Sequence, residues 1–186
     1  MTRSENGMKK FRILLLIILI SPFIGGFYGI LHDQLTYTIS PEYYTKFKFY
    51  QFDLAHFGEE AIFPNPRSQV SIIGFIATWW MGLLIGLVLG VIGLMHPDSK
   101  QMLKVTIKAI IITVIVALIT GLIGLIFGKI YLAKVGVDWF LPENLIDTKN
   151  FIAVGSMHNF SYLGGILGLI VGLIYSFRQK KKNTIK

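Results

Sequence analysis

Six side chains carry most of the reactive potential of this 186-residue sequence: His32, Asp33, His56, Glu59, Glu60 and His158. Histidine titrates near neutrality, so it serves as an acid, a base or a metal ligand. Imidazole nitrogens mixed with carboxylates suit zinc or other transition metals, whereas carboxylates alone suit calcium or magnesium. The spacing His56-x-x-Glu59 would set two of these groups on one helix face, but Gly58 between them opposes a helix there. The sequence matches no established metal motif and calls for no cofactor. The competing reading is a solvated acidic loop whose histidines only cap or hydrogen-bond. With no cysteine, the chain has no thiolate nucleophile, no Cys-ligated metal and no disulfide framework.

His158 stands apart because Gly155-Ser156-Met157-His158-Asn159-Phe160-Ser161 is a polar break inside an apolar run. An ionisable group at such a depth is costly, so it is expected to face the bundle interior or a wet cavity. The plainer alternative is a hydrogen bond to a neighbouring helix near the wet end of the span. Asn159-Phe160-Ser161 also fits a glycosylation triplet, but it lies too deep in the span to be modified.

Four apolar runs must position these groups: residues 13–31, 70–95, 105–130 and 151–177. About 20 apolar residues rise roughly 30 Å as a helix, the thickness of a hydrocarbon core, and only helices or closed barrels satisfy their backbone there. The expected fold is all-α: four transmembrane helices in an antiparallel bundle, one domain over 1–186, with an aromatic-rich outer segment at 32–69. Hydrophobic content of 53% and a mean hydropathy of +0.62 agree. The first run follows Lys9, Lys10 and Arg12 as a signal peptide would, yet it continues past Gly29 without a small-residue cleavage pattern, so a retained helix is expected.

The net charge of +8 does not point to nucleic acid, because the basic residues gather at helix ends and in the C-terminal tail. Placing both termini and the Pro97 turn in the cytoplasm puts twelve Lys and Arg on that side, among them Lys9, Lys104 and Arg178, and six opposite. That bias predicts a multi-pass membrane protein with the N-terminus and C-terminus inside. The lipid bilayer is then the obligatory partner.

In the outer segment, Ser40-Pro41-Glu42 reads as a helix start, with Ser at the N-cap, Pro at the first position and an acid in the first turn. Lys46-Phe47-Lys48-Phe49 alternates with period two and favours extended chain, so the two signals compete. The many tyrosines and phenylalanines predict a cap lying against the bilayer. Trp79 and Trp80 lie too deep for an interfacial belt and are read as bundle-filling or lipid-facing. Gly82, Gly86 and Gly90 in the second span, and Gly164, Gly168 and Gly172 in the fourth, make two glycine faces for close helix packing, within the chain or with another copy. At fixed offsets Lys9, Gly25 and Gly29 match Lys108, Gly124 and Gly128, and the two glycine triplets match each other, as a duplicated helix pair would.

The stretch His32-Asp33-Gln34-Leu35-Thr36-Tyr37-Thr38-Ile39-Ser40-Pro41-Glu42-Tyr43 resembles a segment of uncharacterised bacterial four-helix multi-pass membrane proteins. The resemblance implies the same layout and a feature on the exported face, with no reaction attached. The leading expectation is a non-enzymatic structural or interaction role through the glycine faces and the aromatic segment, with a second copy or another membrane protein as partner. The alternatives are a small transporter or ion pathway involving His158, and a membrane enzyme or metal site at the outer face. At least three of the candidate side chains converging would favour the last.

Overall fold

The computed structural model describes residues 3–55 and 61–184. Four long helices dominate: α1 (Arg3–Ile39), α2 (Pro66–Gly93), α3 (Ser99–Phe127) and α4 (Thr148–Thr184). Each contains a stretch long and apolar enough to cross a bilayer, and among the described residues there is no strand. The chain is an all-α four-helix membrane protein. The helices outrun the apolar runs that announced them, because i to i−4 hydrogen bonding continues where polar residues take over. At about 55 Å, α1 is much longer than a hydrocarbon core of roughly 30 Å.

The bundle is two tight hairpins, α1 with α2 and α3 with α4, set side by side. Glycine is what brings each pair together. A Cβ added to Gly25 would lie 2.8 Å from the Gly82 Cα, and one on Gly168 would lie 2.8 Å from the Thr113 Cα, so in both hairpins backbone touches backbone. Thr78 donates to the Gly25 carbonyl at 2.8 Å and Thr113 to the Gly168 carbonyl at 3.1 Å. In hydrocarbon these close contacts replace the hydrophobic drive that assembles helices in water. The glycine faces of α2 and α4 are therefore occupied inside the chain, Gly82 and Gly86 against Ser21 of α1, Gly164 against Ala117 and Thr120 of α3.

The two hairpins share one packing register. Gly29 meets Gly74 as Gly128 meets Ser156; Gly25 meets Thr78 as Gly124 meets Phe160; Gly82 meets Ser21 as Gly164 meets Thr120. The offsets read from the glycine spacing carry these three contacts of the first pair onto their counterparts in the second.

The described part of the segment between α1 and α2 packs its aromatic rings onto the helices. It folds into the end of the bundle as a cap: a helical turn Pro41–Tyr43, a π-helical stretch Tyr44–Lys48 and a further turn Phe49–Gln51. The Lys-Phe alternation thus falls in helical backbone. Tyr43, Tyr44, Phe49 and Tyr50 form a buried cluster with Val70, Ile73, Phe151 and Val154. Burial of those rings outweighs the local period-two preference, since each aromatic side chain hides a large apolar area. Pro41 takes the first helical position as read, but Ser40 makes no side-chain capping bond.

Replacing Gly82 by Leu forces the α1 backbone away, whereas Gly7 has nothing within 4 Å of its added Cβ. Gly82→Leu is expected to cost at least the ~1–3 kcal/mol of ordinary overpacking, read as a lowered unfolding midpoint in detergent, with Gly7→Leu unchanged.

Candidate functional site

At the cap end of the bundle, four ionisable side chains from three segments meet. Asp33 comes from α1, six residues before its end, and only 2% of it is exposed. The Lys48 ammonium, delivered by the π-helical stretch of the cap, lies 2.6 Å from Asp33 Oδ2 and 2.9 Å from His158 Nε2 of α4. His32 Nδ1 and His158 Nε2 each stand 3.2 Å from Asp33 Oδ1. Donor atoms of His32, Asp33 and His158 all fall within 4.8 Å of one another. On the far side of His32, Ser161 Oγ is 3.1 Å from Nε2. All but Ser161 are buried.

The proton positions follow from what each partner can do. The Val154 carbonyl, 2.9 Å from His158 Nδ1, only accepts, so that nitrogen carries the proton. His158 Nε2 of the neutral ring then accepts from Lys48. Asp33 Oδ1 accepts from His32 Nδ1–H, and His32 Nε2 accepts from the Ser161 hydroxyl. One carboxylate and one ammonium cancel, so with neutral imidazoles the centre carries no net charge. Neutrality matters because an unpaired charge removed from water costs several kcal/mol.

The cap supplies a polar and aromatic lining. The Tyr44 hydroxyl donates to the Asp33 carbonyl at 3.1 Å and sits 2.6 Å from Thr36 Oγ1, while its ring centroid lies 5.3 Å from the Lys48 nitrogen. The Tyr43 ring stacks on His158 at 4.9 Å. Burial pushes the Lys48 ammonium below the ordinary lysine range, with the Asp33 charge opposing. Burial, reinforced by the Asp33 charge, raises both the Tyr43 and the Tyr44 hydroxyls, so they act as neutral hydrogen-bonding groups.

Two cavities flank the centre. One is a slot between the hairpins, running from Ser21 to Asp33 and Lys48 and lined by Ile24, Met81, Ile85, Ile110 and Val114. Its volume is about 70 Å³. Its length along α1 is about 18 Å. Gly165, whose added Cβ would meet only Met81 at 4.0 Å, leaves its wall open. The second, of about 370 Å³, lies on the other side of Lys48 and His158 under Gln51, Trp80, Asn159 and Tyr162. Comparison with known families, curated proteins and solved structures finds no match to this chain. Its chemistry is therefore read from the site alone.

Three of the six residues singled out by type, His32, Asp33 and His158, come together. His56, Glu59 and Glu60 lie outside the described residues. Two participants escaped the sequence reading. Lys48 counted there only as a charge of the outer segment, and Ser161 only as the last residue of a glycosylation triplet. Lysine in a run of alternating lysines and aromatics gives no local sign of burial. Ser161 does carry one in retrospect: it lies three residues after His158, on the same helix face. Trp80 stacks on Tyr162 at 6.4 Å and donates to the Ala77 carbonyl, and both Trp79 and Trp80 are 41% exposed. At the opposite end His96 is buried and meets Ser176 of α4 at 3.2 Å, a tie between hairpins rather than a helix cap.

Glu42 holds the cap down. Its carboxylate accepts from the backbone N–H groups of Ile146 at 2.9 Å and Asp147 at 2.7 Å and pairs with Lys46 at 2.7 Å. Burial alone would raise this carboxyl, but those donors outweigh it and hold it below the usual glutamate range.

Removing one buried charge leaves the other unpaired, so Asp33→Asn and Lys48→Met are each expected to cost about 3–5 kcal/mol, and the double variant much less than their sum. Denaturation midpoints of the four proteins in detergent measure that coupling. For Glu42 the depressed folded pKa means its stabilisation is complete above the unfolded value, about 4.3, and is lost as pH falls through the lower folded value. The stability gap between the natural chain and Glu42→Gln is expected at pH 7 and closes below about pH 4.3, followed by unfolding scans across pH.

Proposed function

We propose that this protein is a membrane enzyme that performs acid–base chemistry on a lipid-type substrate at the outer face of a bacterial plasma membrane, with both termini in the cytoplasm. The observation that carries this reading is the placement of His32, Asp33, Lys48 and His158 at the head of an apolar slot. Imidazoles beside a carboxylate and an ammonium are groups able to give and take protons in general acid–base catalysis. The slot is apolar and runs inward from the centre, so a lipid that inserts its tail between the hairpins would hold its polar end against the centre. Substrate positioning of that kind is a large part of catalysis. The twelve-to-six bias of Lys and Arg toward the termini and the Pro97 turn supports the orientation.

Ion conduction is less well supported, because the slot that continues from the centre toward the other end is walled by Ile85, Ile110 and Val114. A permeating ion needs polar groups along its path. Association with a second copy or another membrane protein loses the surface that motivated it, since the glycine faces are covered by α1 and α3.

The test is lipid conversion in vesicles of phosphatidylethanolamine and phosphatidylglycerol containing the purified protein, followed by mass spectrometry of the lipids. Turnover is expected, reduced about 100-fold or more in His158→Ala and kept in Trp79→Ala. Unchanged lipids, together with a proton flux into the same vesicles that His158→Ala abolishes and Trp79→Ala does not, would put transport in its place.

A further inference from the structure

Ser161, His32 and Asp33 lie in a line that the proton assignment makes directional. The hydroxyl faces His32 Nε2 at 3.1 Å, and the other ring nitrogen, Nδ1, faces Asp33 Oδ1 at 3.2 Å. The carboxylate divides its two oxygens between partners: Oδ2 takes Lys48 at 2.6 Å, and Oδ1 faces His32 Nδ1 and His158 Nε2, each at 3.2 Å. His32 is thereby held with its proton on Nδ1 and a bare Nε2 toward the serine. This is the arrangement in which a serine hydroxyl becomes a nucleophile, and it is recognised by geometry and roles, not by order along the chain. Ser161, His32 and Asp33 all line the apolar slot. The Tyr28 hydroxyl also borders the slot beside Ser161, and it makes no well-aligned hydrogen bond.

We propose that Ser161 is an acyl-accepting nucleophile and that the substrate class is a long-chain acyl ester whose tail occupies the slot. The inference rests on the enzyme reading above and names the bond that changes. Ser161 Oγ attacks the ester carbonyl carbon as its proton passes to His32 Nε2, and Asp33 stabilises the imidazolium. The Tyr28 hydroxyl, beside Ser161 in the slot, can donate to the oxygen that becomes negative. The carbon–oxygen bond to the leaving alcohol then breaks, and the proton on Nε2 goes to that alcohol. Water attacks the acyl-serine in turn, gives a proton to Nε2, and releases the fatty acid as the serine recovers its hydrogen. An acceptor alcohol in place of water gives transfer instead of hydrolysis. No oxidant, reductant or metal enters the balance.

The slot explains why the nucleophile sits inside a transmembrane helix instead of on a loop. A lipid ester lies near the membrane surface with its chain pointing inward, and Ser161 is one helical turn below His158. The burial that excludes bulk water also strengthens the Asp33 contact with an imidazolium.

The experiment labels the full chain, in detergent, with a long-chain alkyl fluorophosphonate and locates the adduct by peptide mass spectrometry. Ser161 is expected to carry it, Ser161→Ala to lose it, His32→Gln to slow it about 100-fold or more, and Trp79→Ala to label at the natural rate. Ser161→Cys guards against misfolding: a long-chain iodoacetamide is expected to alkylate the cysteine faster with His32 present than in the Ser161→Cys, His32→Gln double variant. Absence of label at Ser161 in folded natural protein, or labelling indifferent to His32→Gln, overturns the proposal. Lipid turnover that survives Ser161→Ala but not His158→Ala also overturns it while leaving the enzyme reading intact.

Discussion

The contact between the Asp33 carboxylate and the Lys48 ammonium, made in surroundings almost empty of water, governs the rest of the cap end. Neither charge is tolerable there alone, so each fixes the other's segment. Asp33 is carried by a transmembrane helix and cannot reach solvent, and Lys48 must come to it. To bring it, residues 41–51 turn into the bundle as a short helical cap, and their aromatic rings fill the space beneath. The π-helical stretch at Tyr44–Lys48 is the local form of that demand, a deviation found often at functional sites. Tyr43 and Tyr44 then serve two ends at once, closing the core and touching His158 and the Asp33 backbone.

A second constraint comes from the helices themselves. Close glycine contacts bind α1 to α2 and α3 to α4, while the seam between hairpins is left incompletely filled. The slot lies in that seam. Its upper end carries the polar centre, and the few ties across the seam, Ser161 to His32, Tyr162 to the Ala77 carbonyl and His96 to Ser176, sit along its length and at its ends. The matching registers of the two hairpins make an informative contrast with the chemistry. By the glycine offsets, the positions in the second hairpin equivalent to His32 and Asp33 are Tyr131 and Leu132, and the α2 counterpart of His158 is Ile76. Those packing contacts are shared by both pairs, whereas the cluster of charged and imidazole groups occupies one end of the seam. A common scaffold with a single polar centre is how function is grafted onto a repeated frame.

The sequence by itself determined the solvent, the number of spans and their close pairing, because twenty-residue apolar runs and four-residue glycine spacing are local patterns with one physical meaning in a bilayer. It also marked His32, Asp33 and His158, since ionisable residues in apolar surroundings stand out by type alone. It did not determine helix ends, which depend on backbone hydrogen bonds and not on polarity, nor the direction of the aromatic segment, whose local signals opposed each other. Only the tertiary structure decided that Lys48 is buried, that Ser161 faces His32, and that the glycine faces close within the chain. Those facts rest on contacts between residues 15 to 129 positions apart in sequence, and no local pattern records which distant side chain will neutralise a buried charge.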